Sequence, residues 1–466
     1  MSFNQVTGEI IDALKAVVGE GYVFTEASDV DKYSRDETTG YSFPPEVVVK
    51  PGSPEEISQI LKLCNQYLIP VTPRGGGTGL SGGALPVMGG IVLSTERLKK
   101  IIEIDEANLQ AIVETGTITQ VLMDAAAEKG LYYPVDPSSK GSSFIGGNIA
   151  HGSGGPRVVK YGTIREYVLN LEVVLPSGDI IWTTANTLKF SSGYNLTQLL
   201  IGSEGTLGIV TKAVLKLIPL PAHDVLMWAS FPDSEDACAA VSAIFRAGVT
   251  PSALEFMERR AVEWVANYSA INFNMRDDAE AFLLIEVDGR DLDTILKDCE
   301  IINGVLESFG CKDVLFADSS AQKEELWRIR RHTNPAIKAT AGNYVKEDTV
   351  VPRAYLPQLL KGIKEIDARY GFESICFGHA GDGNMHVNII KASMSDYEWQ
   401  HKLKDGITEI FELTVKLGGA ISGEHGIGLV QKEFMPIKFQ PAHFALWKSI
   451  KQAFDPNGIL NPGKIF

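Results

Sequence analysis

The segment Pro73-Arg74-Gly75-Gly76-Gly77-Thr78-Gly79-Leu80-Ser81-Gly82-Gly83 places six glycines and two hydroxyl side chains in eleven positions. Glycine permits positive φ and close approach to the backbone, so such a run forms a cradle in which N–H groups converge on phosphate oxygens. Gly77, Gly79 and Gly82 also spell G-x-G-x-x-G. That fingerprint carries its meaning only where it opens the helix of a βαβ unit. Here Pro86 and Gly89-Gly90 lead instead into the strand pattern Ile91-Val92-Leu93-Ser94. The context therefore excludes a Rossmann fold and keeps the phosphate cradle.

Three further loops share this character: Pro134-Val135-Asp136-Pro137-Ser138-Ser139, Gly141-Ser142-Ser143-Phe144-Ile145-Gly146-Gly147-Asn148, and Gly202-Ser203-Glu204-Gly205-Thr206-Leu207-Gly208-Ile209. Each alone is an ordinary turn. Together they predict an extended, phosphate-bearing cofactor wrapped in backbone hydrogen bonds. What else such a chain touches is bounded by charge. A net charge of −15, with its basic residues dispersed, argues against nucleic acid or an anionic membrane surface as the main partner. Residues 75–95 carry no formal charge, but eight glycines and Pro86 make them loop and not a membrane span. The first 20 residues lack the charged-then-apolar layout of a signal peptide, which predicts a cytoplasmic protein. Cys64, Cys238, Cys299, Cys311 and Cys376 form no C-x-x-C, so neither an iron–sulfur cluster nor a disulfide framework is signalled. Electrons moved by this chain must pass to an acceptor outside it.

The organisation reads as α+β throughout. The amphipathic amino terminus predicts a helix. Ser53-Pro54-Glu55-Glu56 caps another, whose apolar positions Ile57, Ile60, Leu61, Cys64 and Leu68 run at helical spacing until Pro70. Strands follow at 69–72, 90–94 and 111–114, and then a helix capped by Thr117 and running to Gly130. A hairpin over 171–184 turns at Pro176-Ser177-Gly178-Asp179, and a last strand lies over 207–218. Pro219-Leu220-Pro221 marks a boundary. Beyond it, helices are expected at 236–247, 293–309 and 355–370, with strands at 283–287, 313–316, 374–377 and 385–390, a pattern of helices covering an antiparallel sheet. The expected division is 1–220, 221–430, and a turn-rich carboxyl segment, 431–466, that docks back on the first part.

Gly378-His379-Ala380-Gly381-Asp382-Gly383-Asn384-Met385-His386-Val387-Asn388 sets two histidines around a tight turn. On a strand, His386 and Asn388 share a face, and the turn can return His379 beside them. Glu424 and His425, in Gly423-Glu424-His425-Gly426-Ile427-Gly428, add a carboxylate and a third imidazole among glycines. Two histidines and a carboxylate suit a catalytic divalent ion. By themselves these residues favour a metal, with hydrogen-bonded core histidines as the alternative. Trp327-Arg328-Ile329-Arg330-Arg331-His332-Thr333-Asn334 reads as a basic helical stretch ahead of Pro335, and by itself it fits a solvated face.

In combination, Pro73 to Gly83, Gly146 to Ala150, Lys160-Tyr161-Gly162, Ser191-Ser192-Gly193-Tyr194, Gly202 to Thr211 and Asn461-Pro462-Gly463-Lys464 resemble the vanillyl-alcohol oxidase type of FAD-binding oxidoreductase. The nearest branch is that of D-lactate dehydrogenase, glycolate oxidase and D-2-hydroxyglutarate dehydrogenase. The resemblance implies a two-part FAD-binding domain plus an α+β cap domain with an antiparallel sheet. It implies that Arg74, Gly75, Gly76, Gly77, Thr78, Gly79, Leu80 and Ser81 hold the pyrophosphate. Pro137, Ser142, Gly146, Gly147, Asn148, Gly155, Glu204, Gly205, Ile209 and Asn461 would line the rest of the cofactor. Relatives with covalent flavin use a histidine in the first glycine loop, and residues 73–83 contain none, so non-covalent FAD is expected.

The same resemblance implies His379, His386 and Glu424 as ligands of a divalent metal, with zinc ahead of manganese or iron. It implies His425 as catalytic base, Asn388 as a substrate contact, and Arg330 and Asn334 as holding the substrate carboxylate. Lys346 matches a lysine that D-2-hydroxyglutarate dehydrogenases use, although the position of Asn334 is threonine there. His151-Gly152-Ser153-Gly154-Gly155 departs from the short Thr-Asn-Ala that relatives carry before the paired glycines, so His151 stands either beside the flavin or as a satisfied loop histidine. The expected activity is FAD-dependent oxidation of a D-2-hydroxy acid such as D-lactate, glycolate or D-2-hydroxyglutarate. Electrons would leave to a separate electron-transfer flavoprotein, quinone-linked protein or companion subunit, and a homodimer is compatible with all of this. The alternatives are a flavin-binding subunit of a larger complex and a metallohydrolase.

Overall fold

The Ser53 hydroxyl accepts the Glu56 N–H at 3.2 Å and Pro54 occupies the first helical position, so the capped start read from sequence opens the helix Pro54–Tyr67. Its apolar face, Ile57, Ile60, Leu61 and Cys64, is fully buried against Val47, Val49, Val71, Ile91 and Leu93. This packing decides the first layer of the fold. The computed structural model describes residues 3–270, 275–317 and 319–466; Met1 and Ser2, part of the amino-terminal helical reading, lie outside them.

The chain divides into two compact units. The first comprises residues 1–154, 163–220 and 424–466. One sheet of this unit has the order β1-β2-β4-β3, from β1 (Val23–Phe24), β2 (Val47–Val49), β3 (Val71–Arg74) and β4 (Ile91–Ser94). β3 and β4 run parallel in register, Val71 opposite Ile91, so the glycine loop leaves the end of one strand and returns to its neighbour without a helix. A second sheet is ordered β5-β6-β10-β8-β9, from β5 (Ile101–Asp105), β6 (Gln110–Glu114), β8 (Val168–Val174), β9 (Ile180–Trp182) and β10 (Ile209–Lys216). A short pair, β7 (Leu131–Tyr132) and β11 (Ile218–Pro219), completes the unit's strands among the described residues. The carboxyl segment is held to the first sheet by a parallel bridge from Leu460 to Val71 and by the bond from Asn461 N to Val71 O at 2.7 Å.

The second unit comprises residues 155–162 and 221–423. Its seven-stranded sheet is ordered β15-β12-β14-β13-β17-β18-β16. The strands are β12 (His223–Phe231), β13 (Ala253–Glu258), β14 (Ala281–Gly289), β15 (Asp313–Ala317), β16 (Tyr344–Val350), β17 (Glu373–Gly378) and β18 (Asn384–Ile390), and every pairing is antiparallel. Trp228, Met257, Phe282, Ile375 and Phe377 face the helices Arg259–Ser269 and Ser320–Thr340 in one core. Segment 155–162 is pinned to this unit by charge. Arg157 donates to Glu286 at 3.1 and 2.9 Å, and the Tyr161 hydroxyl donates to Asp288 at 2.8 Å.

Three readings need correction. The helix assigned to a Thr117 cap starts at Thr119 with Ile118 at its N-cap, because the Thr117 hydroxyl turns to Lys100 O at 3.4 Å. The stretch read as loop over 141–148 enters a helix at Ile145, where Gly146 packs so closely on Thr115 that an added Cβ would lie 2.8 Å from its Cβ. The basic stretch does not stop before Pro335: the helix Ser320–Thr340 continues through it. A proline there forfeits one backbone bond, and the burial of Ile329, Thr333, Ala336 and Ile337 on either side offsets that loss. Among the described residues no helix is long and apolar enough to cross a membrane.

Candidate active site

In the first unit the glycine cradle is built by close approach. A Cβ on Gly76 would sit 2.4 Å from Ser142 O, and one on Gly77, where φ is +70°, would sit 2.2 Å from the Arg74 guanidinium. Only glycine fits either position. The first loop thus lies against Ser142 and Gly147, while the Gly147 Cα faces open space. Arg74 is buried, with Nη2 on Lys32 O at 3.4 Å and its guanidinium 5.6 Å from the Tyr33 ring centre. Its Nη1, the Ser81 hydroxyl and His151 Nε2 are buried polar atoms without a hydrogen-bond partner. Such groups cost free energy unless something polar meets them. Two donors, Arg74 Nη1 and the Ser81 hydroxyl, beside a loop with room at Gly147 fit the anionic phosphates of FAD.

Other residues expected at the cofactor serve the loop itself. Asn148 donates through Nδ2 to Thr119 Oγ1 at 2.6 Å, and Asn461 donates through Nδ2 to Gly83 O and Glu204 O at 2.9 and 2.7 Å. Ser142 donates to Ser139 O at 3.3 Å, Pro137 is buried, and Ile209 is buried at the start of β10. Gly205 has a φ of +68°. Gly155 belongs to the second unit. Glu204, with a φ of +50°, accepts the N–H groups of Ile427 and Gly428 at 2.8 and 2.7 Å and thereby braces the segment after His425. Burial pushes the Glu204 carboxyl up, although the His151 charge and these two N–H groups pull the other way. His151 sets Nδ1 at 3.2 Å from Gly147 O and turns Nε2 toward Gly79 and Gly83. It is therefore part of the cradle wall. Glu424 and His425 are half-buried and open the third stretch of this unit, directly after Gly423.

In the second unit the register of β16, β17 and β18 builds a polar patch. Phe377, His386 and Asp348 stand abreast, and Ile375, Asn388 and Lys346 form the row beside them. The turn between β17 and β18 closes through Asn384 N to His379 O at 3.1 Å, and Gly383, at φ +89°, passes too close to Val351 O for any side chain. This returns His379 to His386, with ring centres 5.4 Å apart and planes nearly perpendicular. Both histidines are buried. His379 turns Nδ1 to the buried Glu255 carboxylate at 2.8 and 2.9 Å, whereas His386 Nδ1 lies 3.4 Å from Asp348 Oδ1, within ion-pair distance but outside hydrogen-bond geometry. The His379 ring, held in this way, leaves Nε2 as the electron-pair donor, the arrangement that metal-binding histidines adopt.

Arg330 reaches the same patch from the helix Ser320–Thr340. Its Nε donates to Glu255 Oε2 at 2.5 Å, and its guanidinium lies 4.9 Å from the Phe377 ring centre. Burial alone would raise the Glu255 carboxyl, but the charges of His379 and Arg330 hold it below its ordinary value. Lys346 donates to Asn334 Oδ1 at 2.9 Å. Asn388 donates through Nδ2 to Ile375 O at 3.2 Å and leaves a buried Oδ1 without a partner. Two acids that sequence reasoning missed, Glu255 and Asp348, therefore organise the patch. A charged residue at an inward position of Ala253-Leu254-Glu255-Phe256-Met257 was the available signal.

Residues 45–184 match the model of an FAD binding domain, and residues 220–465 match the C-terminal domain of FAD linked oxidases. The chain is 40% identical to the glycolate oxidase subunit GlcD of Bacillus subtilis (strain 168), over 93% of this chain and 92% of that protein. It is 36% identical to a D-lactate dehydrogenase of Anaerostipes hadrus, over 99% and 98%. Among solved structures, the 4-ethylphenol oxidase from Gulosibacter chungangensis superposes with a TM-score of 0.79 over 100% of this chain and 98% of its own, at 19% identity.

Proposed function

We propose, since this chain belongs to the family of FAD-linked oxidases, that it is the D-2-hydroxy-acid dehydrogenase of that family and that it works with a divalent metal. Non-covalent FAD is held by the cradle of residues 74–81 with Gly146, Gly147 and the Asn461-braced loop, and when bound it supplies the acceptor for a hydride leaving C2 of the substrate. The observation that carries the metal is the pair of buried histidines with ring centres 5.4 Å apart, His379 held through Nδ1 by the Glu255 carboxylate. His379 and His386, joined by Glu424, form the ligand set, zinc ahead of manganese or iron. A divalent ion there would act as a Lewis acid on the substrate hydroxyl.

The remaining roles belong to the chain's own side chains. His425 takes the hydroxyl proton on its imidazole, a transfer that matters because an alcohol is too weak an acid to ionise near neutral pH. Arg330 binds the substrate carboxylate through the guanidinium edge that Glu255 leaves open. Asn388, in the row with Lys346 beside His386, is a further substrate contact. Lys346, steadied by Asn334, stands ready for a second carboxylate, so its contribution separates D-2-hydroxyglutarate from D-lactate or glycolate. The electrons leave to a separate acceptor, and the Bacillus subtilis relative, a glycolate oxidase subunit by name, supports a companion-protein arrangement; a cytoplasmic setting is part of the proposal. A panel of D- and L-2-hydroxy acids, tested without oxygen for bleaching of the flavin absorbance, decides the substrate class. Failure of every D-2-hydroxy acid to bleach the flavin overturns it.

A further inference from the structure

Glu255 does more than occupy the core. It lies on β13, four residues before the helix Arg259–Ser269 begins, and its side chain is 0% exposed. Both its oxygens are within 2.9 Å of His379 Nδ1, and Oε2 also accepts the Arg330 Nε–H. A fully buried carboxylate is costly unless cations and donors surround it, and here the two groups that surround it are a histidine and an arginine already assigned separate tasks.

The geometry points to Glu255 as the positioning residue of the site: it fixes His379 as the Nδ1–H tautomer, so that Nε2 carries the lone pair, and it sets the guanidinium plane of Arg330. This inference rests on the metal reading proposed above. A neutral imidazole carries one N–H, and a carboxylate accepts but does not donate; Arg330 Nη2 also approaches His379 Nδ1, but at 3.5 Å against 2.8 and 2.9 Å for the two Glu255 oxygens, so the carboxylate decides and the proton of His379 sits on Nδ1. Partners of this kind raise ligand basicity, and their loss weakens metal affinity by about 10- to 100-fold. The Arg330 contact has the same character: a carboxylate on Nε leaves the opposite edge of the fork to face a ligand.

The test measures Zn2+ alone binding to metal-stripped, FAD-loaded protein by competition with a chromophoric chelator, in wild type and in Glu255→Gln. The expected result is zinc binding by wild type and an affinity about 10- to 100-fold weaker in the variant, with FAD content and the flavin spectrum unchanged. Equal zinc affinity in the two proteins overturns the role of Glu255 while leaving the metal reading intact. Wild type that binds no zinc overturns the metal reading and this inference with it. Because Glu255→Gln leaves Arg330 without its counter-charge and is liable to misfold, a second measurement uses wild type only. Nitrogen-15 NMR of metal-stripped protein labelled at histidine, with His379 assigned from the His379→Gln spectrum, should show a protonated Nδ1 and an unprotonated Nε2. The opposite tautomer refutes the inference whatever the variant does.

Discussion

Replacing Arg330 by methionine removes one half of an ion pair whose side chains are 5% and 0% exposed. Breaking a buried pair from one side costs about 3–5 kcal/mol, because a carboxylate stays behind in a medium that solvates it poorly. Glu255 retains His379 as a donor, so the expected loss falls at the lower end, about 3 kcal/mol. The double variant Arg330→Met/Glu255→Gln leaves no stranded charge, and its stability should recover to within about 1 kcal/mol of wild type, which, with Glu255→Gln alone also costing about 3 kcal/mol, is a coupling of about 5 kcal/mol in a double-mutant cycle. Urea unfolding followed by near-ultraviolet circular dichroism on all four proteins of the cycle reads this. Function should respond differently. The bonds from Arg330 to a substrate carboxylate are charge-assisted and worth about 1.5–3 kcal/mol, so a 2-oxo acid should bind about 10- to 150-fold more weakly to both variants, as measured by perturbation of the flavin spectrum. A double variant as unstable as the single one would show that packing and not charge is at stake. Unchanged 2-oxo acid affinity in Arg330→Met refutes Arg330 as the carboxylate anchor.

Four other outcomes are expected. His425→Asn should fold, bind FAD and bind a 2-oxo acid, yet its flavin should be reduced about a hundredfold or more slowly in a rapid-mixing experiment; near-normal reduction would dismiss the base assignment. Chelation of the metal, or His379→Ala, should abolish reduction by substrate while leaving the FAD spectrum in place, and full activity of metal-free protein would contradict the metal role. Lys346→Ala should impair D-2-hydroxyglutarate oxidation more than D-lactate oxidation in steady-state kinetics, and equal effects on both argue against a second-carboxylate role. Burial pushes the Asp367 carboxyl up to about 6, with the Ser374 hydroxyl and Lys364 pulling against it. Its folded value then lies above its unfolded one, so its stabilising contribution is full below about pH 4 and is lost as pH rises through about 6, a term of about 3 kcal/mol that Asp367→Asn should flatten in unfolding curves taken across that range.

Much of the architecture was legible because local rules carried it. Ser53-Pro54, the Pro176-Ser177-Gly178-Asp179 hairpin and the helix expected at 355–370 depend on a few neighbouring residues, and the structure places the corresponding elements at Pro54–Tyr67, β8 with β9, and Leu356–Tyr370, the last capped by Gly371 at φ +86°. The strand after Gly89-Gly90 was likewise enough to reject a Rossmann helix, since the periodicity switches within a handful of positions. Thr117 and Pro335 show where local rules fail. A hydroxyl can serve a distant carbonyl as well as its own helix, and a helix keeps its course through proline when both sides are buried.

Local pattern alone marks the glycines of 75–83 and the histidines around the 379–386 turn as candidates for chemistry, and family resemblance adds Arg330. What those groups are held against depends on the packing of the whole sheet. Glu255 precedes His379 by 124 residues, and Asp348 precedes His386 by 38, yet each pair meets because antiparallel register sets β13 beside β17 and β16 beside β18. Side-chain direction on a strand alternates with every residue, so pairings of that length depend on register across the whole sheet and not on any local signal. The orientation of His379 and the seating of Arg330 against Glu255 are set at that level.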